Sequence, residues 1–331
     1  MTSASHTIAV IIVNYGIADL AIEAVESVLA QISDGDGTEV HLVDNASPGD
    51  DAAKFSDVHA ARGWGPRVTL WLETVNHGFG RGNNLVLDTL AARDTPPDKV
   101  FLLNPDARLA NDVLSILTDA LEADAQAVAA GAGIVDREGM PATAAFRFPG
   151  FTSEVVKTIG FGPLDRLFSH RRVPLPPDFS DGRVDWVAGA SVMFRFPSLL
   201  EHGFFDPAFF LYYEEVDLMR RLQAKGGYVL FVPEAQVIHH EGSSTNVRSR
   251  QARRARPPYV YESWRHYFSK SHGRAYAVAT SCAVLAAAMV NAVLSVLRRK
   301  PPSTPKHFVR DHWRYALKPL LTGKAHAGVA E

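Results

Sequence analysis

The first apolar stretch of the chain is six residues long and unbroken, Ile8 to Val13, and β-branched side chains dominate it. That is the pattern of a strand buried on both faces. Asn14, Tyr15 and Gly16 end it. A helical period follows, with Ala21, Ala24, Val25, Val28 and Leu29 on one stripe and Glu23 and Glu26 off it. Glu39 to Val43, Val68 to Leu72 and Val100 to Leu103 read as further strands, and Asn84 to Ala92 and Asp112 to Ala123 as helices. Gly78 to Gly82 reads as a loop ahead of the first of these. Strands alternating with helices through residue 123 predict an α/β fold, a mostly parallel sheet flanked by helices. Ligands of such sheets collect at the carboxyl ends of the strands. Asn14, Asp44, Asn76 and Asp106 each follow such an end, so they are expected on one rim.

The pattern then weakens. Residues 140 to 185 are rich in Pro, Phe and Arg and read as loops with short helices. Strands return at Val184 to Val187, Ser191 to Phe194 and Tyr228 to Val232, with a helix at Glu214 to Lys225. From Ala275 to Leu297 no residue is charged. As a helix this run is about 34 Å long, enough to cross a hydrocarbon core. It is Ala-rich and carries Thr280, Ser281, Asn291 and Ser295. Arg265, Lys270 and Arg274 precede it, and Arg298, Arg299 and Lys300 follow. A single crossing would leave one basic flank outside, against the positive-inside tendency. An in-plane helix or a returning hairpin keeps both flanks beside anionic lipid and is preferred. A buried helix or an oligomer contact is the alternative.

Composition sharpens this division. With 331 residues, 47% hydrophobic, the chain can bury a large core, which excludes disorder as its overall description. A single cysteine excludes a disulfide framework and a Cys-rich zinc site. The net charge of −2 conceals a split: residues 1–247 sum to −15 and residues 248–331 to +13. An acidic body and a basic tail suggest two jobs and a boundary at 247/248. Arg248 to Arg256 suits phosphates of any kind, but the apolar run beside it favours lipid over nucleic acid. Met1 to Thr7 has no charged n-region or cleavage site, so no secretory signal is expected and a cytoplasmic location is.

Several constellations suit chemistry, each with a structural alternative. Asp44, after the second strand, can accept hydrogen bonds from a ribose or base, or cap a turn. Asn76 to Asn84 is a glycine-studded stretch suited to close backbone approach by a ligand, yet it is neither GxGxxG nor a P-loop. Asp106 after Asn104 and Pro105 can hold Mg²⁺ or Mn²⁺ on a diphosphate, or cap a helix. Glu214, Glu215 and Asp217 crowd three carboxylates into four positions. Such crowding raises carboxylate pKa values and suits a general base, although acids at a helix start are often a solvated face. His239 and His240 follow a strand-like pair, and one imidazole beside Asp106 would complete a two-ligand metal site.

Taken in order, these segments resemble the family 2 glycosyltransferases of the GT-A fold, and within them the bacterial rhamnosyltransferase-like branch. The resemblance runs from Ile8 to about Ser244. It rests on Val13-Asn-Tyr15, Val43-Asp-Asn-Ala-Ser47, Asn76 through Asn84, Asn104-Pro-Asp106, and Glu214-Glu-Val-Asp-Leu218 followed by His239. The resemblance implies a nucleotide-sugar-binding half (1–123), an acceptor and catalytic half (124–247) and a membrane-associated region (248–331). It implies that Asp44 binds base or ribose, with Asn14, Tyr15, Asn76, Gly78, Asn83 and Asn104 lining the donor pocket. Asp106 matches the final acid of the DXD-type metal motif, whose first acid is here Asn104. His239, in the pattern that ends at Gly242, matches the second metal position. Glu215 matches the usual catalytic base, with Asp217 as rival, and Trp186, Gly189, Ala190 and Glu214 fall on the acceptor side. The implied reaction is a single inverting displacement onto a polyprenyl-diphosphate-linked saccharide at the cytoplasmic face of the membrane. dTDP-L-rhamnose is the preferred donor; UDP-galactofuranose, a UDP-hexose or a UDP-N-acetylhexosamine is the alternative. A pyrophosphorylase and an inactive membrane scaffold are the rivals from other classes.

Overall fold

The computed structural model describes residues 6–33, 35–180, 182–239 and 254–323. Gly242 and the start of the basic run, Arg248 to Arg253, lie outside them. In chain order the elements are β1 (Ile8–Asn14), α1 (Ala18–Leu29), β2 (Thr38–Asn45), α2 (Asp51–Ala61), β3 (Val68–Glu73), α3 (Gly78–Ala91), β4 (Lys99–Leu103), β5 (Ala107–Leu109) and α4 (Val113–Ala123). There follow β6 (Ala127–Val135), β7 (Pro141–Ala142), β8 (Ala145–Phe146), α5 (Phe151–Ile159), α6 (Gly162–Leu167), β9 (Gly182–Val184), β10 (Trp186–Val187), β11 (Ser191–Arg195) and α7 (Phe196–His202). The last are α8 (Glu214–Gln223), β12 (Tyr228–His239), α9 (Pro258–His272), α10 (Arg274–Arg298), α11 (Phe308–His312) and α12 (Lys318–Thr322).

These residues form two compact units that interleave in sequence. The first draws on 1–146, 174–207 and 218–248, the second on 147–173, 208–217 and 249–331. The boundary expected from charge is a single cut, whereas segments 147–173 and 208–217 group with the C-terminal region.

The first unit is built on a sheet ordered β3-β2-β1-β4-β11-β6-β12-β5, with β7 on β6 and β9 on β12. All seven residues of β1 are buried. Ile8, Val10 and Ile12 enter one core, with Ala21, Val25 and Leu117, while Ala9, Ile11 and Val13 enter a second, with Val86, Leu87 and Phe194. Alternation across the pleat thus explains why an unbroken apolar run was needed.

The sheet is mixed, which corrects the mostly parallel expectation. β1–β2, β2–β3, β1–β4 and β6–β12 are parallel, but β11 lies antiparallel between β4 and β6, and β12 is antiparallel to β5 and β9. The chain enters β11 from the carboxyl end of β4, where the Ala190 carbonyl accepts the Asn104 N–H at 2.9 Å, and so runs back along it. The single strand expected at Val184 to Val187 is two: β9 pairs with β12 and β10 with β8, with Asp185 between them. β6, which no hydrophobic run announces, is Ala- and Gly-rich because its neighbours come close. A Cβ on Gly131 would sit 2.5 Å from Val187, and one on Gly133 would sit 2.9 Å from the Pro233 carbonyl.

The second unit is helical. α9 buries Tyr261, Trp264, Tyr267 and Phe268, and Trp264 stacks on Phe268 at 4.3 Å and donates to Glu154 of α5 at 3.0 Å. α10 is long and apolar enough to cross a membrane by length and composition. Its buried face nevertheless carries Thr280, Ser281, Asn291 and Ser295. Asn291 donates to the Ile159 carbonyl at 2.9 Å and to Ser303 at 2.8 Å, and Ser281 is 2.8 Å from Nε2 of His312. Burial pushes the His312 imidazole down to about 4. Ala277, Val284, Ala287 and Ala288 share that buried face, whereas Ala275, Ala279, Cys282, Ala286, Met289, Val293 and Val296 form one exposed stripe at alternating spacings of four and three.

Candidate functional site

Three polar clusters carry the residues singled out in the sequence, two at the carboxyl edge of the sheet and one in the helical unit. At the first, β1 and β2 end in register, Asn14 opposite Asp44. Both are buried, and the Asn14 amide donates to Asp44 Oδ1 at 3.0 Å, to Ser47 at 3.1 Å and to Asp51 at 2.8 Å. Asp51 also accepts from the Ala18 N–H at 3.1 Å, tying the corner to the start of α1, and Ser47 accepts from the Gly16 N–H at 2.8 Å. Tyr15 stands exposed beside them. Ser47 falls within the Val43–Ser47 motif and Asp51 beyond it, and the work of both shows only when the β1 and β2 loops meet.

Asn45 organises the neighbouring turn. Its amide donates to Asn76 Oδ1 and to the Gly78 carbonyl, both at 3.1 Å, and its oxygen accepts the His77 N–H at 2.9 Å. Asn76 also accepts the Gly78 N–H at 2.8 Å. The expected glycine loop is instead the first turn of α3. Gly78 has φ +74°, and a Cβ on Gly82 would lie 3.0 Å from Val13 Cγ1, so the missing side chain lets the helix lie close against β1. Asn83 is buried within α3 and donates to the Phe79 carbonyl at 2.9 Å; its Oδ1 has no hydrogen-bond partner among the described residues.

The second cluster joins residues far apart in sequence. β5 pairs with β12 so that Ala107 faces His239, which brings His239 Nε2 to 3.0 Å from Asp106 Oδ1 and 3.4 Å from the Asn104 amide. Among the described residues no group of three or more His, Cys, Asp or Glu converges as a metal site. The Asp106–His239 pair nonetheless fits two positions of a hard divalent ion, because adjacent octahedral ligands at ~2.1 Å lie ~3.0 Å apart. His239 Nδ1 is buried with no partner among the described residues, so the ring's polar contacts lie on the edge facing Asp106 and Asn104. The 188–191 turn, which includes Gly189, adjoins this cluster through the Ala190–Asn104 bond, and Trp186 stacks on Phe146 at 4.1 Å, 12° from parallel.

The third cluster opens α8 in the helical unit. Tyr212 and Tyr213 both have φ +71°. Two consecutive non-glycine residues in that region cost about 1–3 kcal/mol each and tend to mark functional segments. Glu214 is buried, Oε2 has no hydrogen-bond partner among the described residues, and burial, then the charge of Glu215, raises its carboxyl well above the usual range. The crowding expected of the three acids thus acts on Glu214 second to burial. Glu215 is half-buried. Asp217 is buried and accepts from Lys270 of α9 at 2.8 Å. Lys270, which the sequence places in the basic flank ahead of the apolar run, bonds Asp217 here instead of standing free for lipid.

The family described as Glycosyl transferase family 2 matches residues 9–161, and Glycosyl transferase family group 2 matches residues 99–321. The N-acetylglucosaminyl-diphospho-decaprenol L-rhamnosyltransferase of Mycobacterium tuberculosis is 28% identical over 213 residues, 61% of this chain and 68% of that protein. Rhamnosyltransferase WbbL of Escherichia coli K12 is 26% identical over 167 residues, 50% of this chain and 61% of that one. The solved mannosyltransferase PcManGT from Pyrobaculum calidifontis, in complex with GDP-Man and Mn²⁺, has a TM-score of 0.55 at 16% identity, over 97% of this chain and 89% of that one. GalNAc-T7 with UDP, GalNAc and Mn²⁺ has a TM-score of 0.57 at 15% identity, over 96% and 56%. At these identities the solved structures establish a shared fold.

Proposed function

This chain belongs to glycosyl transferase family group 2, and from that premise we propose that it moves a sugar from a nucleotide diphosphate to a polyprenyl-diphosphate-linked saccharide. L-Rhamnose from dTDP-rhamnose is the preferred donor sugar, because both curated relatives described above are rhamnosyltransferases. The observation that carries the reading is the meeting of Asp106 and His239 at 3.0 Å on a rim that also carries the Asn14–Asp44 corner.

In this reading Asn14, Tyr15, Asp44 and Asn76 line the nucleotide pocket, with Gly78, Asn83 and Asn104 beside them. Asp106 and His239 would hold Mg²⁺ or Mn²⁺, which offsets charge on the departing diphosphate when bound. Glu215 takes the proton from the attacking hydroxyl as its oxygen bonds to the anomeric carbon. The bond to the diphosphate oxygen breaks with its electron pair, and configuration inverts. Trp186, Gly189, Ala190 and Glu214 contact the saccharide; burial pushes the Glu214 carboxyl towards its neutral form, in which it can donate a hydrogen bond to it.

The reaction is proposed at the cytoplasmic face of the membrane, with α10 in the plane of an anionic surface. A lone crossing would strip Asn291 and Ser281 of their partners inside the helical unit, whereas lying flat buries the outer stripe and leaves those bonds intact.

The test is nucleoside diphosphate release from a panel of sugar nucleotides, with Mg²⁺ or Mn²⁺ and a polyprenyl-diphosphate N-acetylglucosamine acceptor. Turnover with dTDP-rhamnose supports the reading. Turnover with a UDP-sugar alone keeps the transferase and removes rhamnose. Silence with nucleotide binding intact favours a scaffold.

A further inference from the structure

We propose that the corner between α5 and α6, with the exposed residues of 161–171 that follow it, is a second contact with an anionic bilayer, beside the C-terminal end of α10. The inference rests on the reading of α10 as an in-plane membrane helix and adds a surface which that reading leaves out.

The last turns of α10 hold this corner by three consecutive residues. Asn291 and Arg298 lie two turns apart on one face of the helix. The Asn291 amide donates to the Ile159 carbonyl at 2.9 Å, and Arg298 donates to the Gly160 carbonyl at 3.2 Å. The Arg298 guanidinium also lies 4.7 Å from the centre of the Phe161 ring. Gly160 turns the chain at φ +61°, and a Cβ there would sit 2.5 Å from Ser303 Oγ and 2.9 Å from the Asn291 amide nitrogen. The corner is therefore seated against α10, and the residues after it depart from the end of that helix.

Those residues do not have the composition of a merely solvated loop. Arg166, Leu167, His170 and Arg171 are exposed at spacings of one, three and one, while Leu164 and Phe168 are half-buried. Leu167 is 69% exposed, and Phe161 reaches solvent too. Asp165 is the acid of the segment, and Arg172 bonds it, so nothing within the segment opposes the charge of Arg166 and Arg171. At the same end of α10, Val296 and Leu297 stand exposed beside Arg299 and Lys300. Water or a nucleic acid would satisfy the arginines and leave Leu167 and Phe161 uncovered. An anionic bilayer meets both needs, with phosphates at its surface and acyl chains beneath. A single helix lying flat leaves the helical unit free to roll about that helix. A second contact at its end limits the roll, and with it the angle at which this unit presents Glu214 and Glu215 to a lipid-borne acceptor.

The test uses the full chain and vesicles of phosphatidylcholine with or without phosphatidylglycerol. Leu167→Asp and the Arg166→Gln/Arg171→Gln pair should each lower pelleting with the phosphatidylglycerol vesicles about tenfold, at unchanged Tm. An environment-sensitive fluorophore on Leu167→Cys, in a Cys282→Ala background, should shift to the blue on those vesicles and stay unshifted on phosphatidylcholine alone. If both variants pellet like the native chain and the fluorophore does not shift, while Val296→Asp still weakens pelleting, the corner stands in water and the inference is overturned. If Val296→Asp pellets like the native chain as well, the membrane reading of α10 has failed first, so the two failures separate. Binding to duplex DNA as tight as to the anionic vesicles at equal salt, and unaltered by Leu167→Asp, would overturn the choice of lipid.

Discussion

β1 and the stretch of α10 from Ala275 to Leu297 are both uncharged apolar runs, and the protein uses them in opposite ways. Every residue of β1 is buried, and its polar side chain, Asn14, comes last, where the strand meets the rim. α10 turns its polar residues inward, where Asn291, Ser281 and Ser295 find partners, and leaves Met289, Val293, Val296 and Leu297 exposed. Apolarity along a chain therefore does not state what will cover it. β1 is covered by the protein's own cores. For the outer stripe of α10, flanked by exposed Arg298, Arg299 and Lys300, the proposed cover is one that is apolar in depth and anionic at its surface, as a bilayer is.

Placing one charge in each run tests this difference most severely. Ile11→Asp puts a carboxylate where 1% of the side chain is exposed and should cost several kcal/mol, much of a typical domain's stability; soluble, folded protein should not be recovered. Val296→Asp, at 77% exposure, should change stability by no more than about 0.5 kcal/mol. It should still lower pelleting with anionic vesicles about tenfold or more, from lost apolar burial and added repulsion. Unchanged pelleting with a lowered Tm would make the stripe a packing face.

The next effect is set by pH and by the inward polar face. His312 is buried beside Ser281 and its pKa is lowered to about 4 from an ordinary 6.5. The unfolded chain thus binds a proton that the folded chain refuses between those values. Stability should be unaffected by His312 above pH 6.5 and should fall as pH drops from about 6.5 towards 4, by on the order of 3 kcal/mol in total. Denaturant titrations of the native chain and of His312→Gln should diverge in that window. Parallel curves would mean that the imidazole is not the acid-sensitive element.

What could be read in advance follows the same contrast. β1, β2 and β4 announce themselves because a strand buried on both faces has to be apolar throughout. β6 does not, because Gly131 and Gly133 answer to Val187 and Pro233, whose approach is a tertiary fact. The direction of β11 depended on where the chain re-enters the sheet, which no local pattern records. Motif order singles out Asp44, Asp106 and His239 as candidates, and the Ala107–His239 register brings the last two together. Lys270 was illegible for the same reason as β6: its partner lies 53 residues away, and one Lys in a basic tail carries no signature.

The smallest effects come from adding a single methyl group to the sheet unit, and they separate packing from ligand approach. Gly131→Ala forces a Cβ to 2.5 Å from Val187 and should destabilise by about 1–3 kcal/mol with no gain to offset it. Gly82→Ala is more finely balanced. Its Cβ would sit 3.0 Å from Val13 Cγ1 and 3.6 Å from the Asn45 amide, which opposes the substitution. Removing a glycine from α3 favours it by about 1 kcal/mol. The net change in Tm should be small and negative, because Val13 lies in a strand hydrogen-bonded on both sides and has little room to yield. Nucleotide affinity is the discriminating measurement. If Gly82 serves helix packing alone, Gly82→Ala lowers Tm slightly and leaves nucleoside diphosphate binding within about twofold, because nothing but Val13 and Asn45 has moved. If affinity falls tenfold at unchanged Tm, the glycine instead keeps room for the ligand, and the stretch from Asn76 to Asn84 does the work its glycines first suggested.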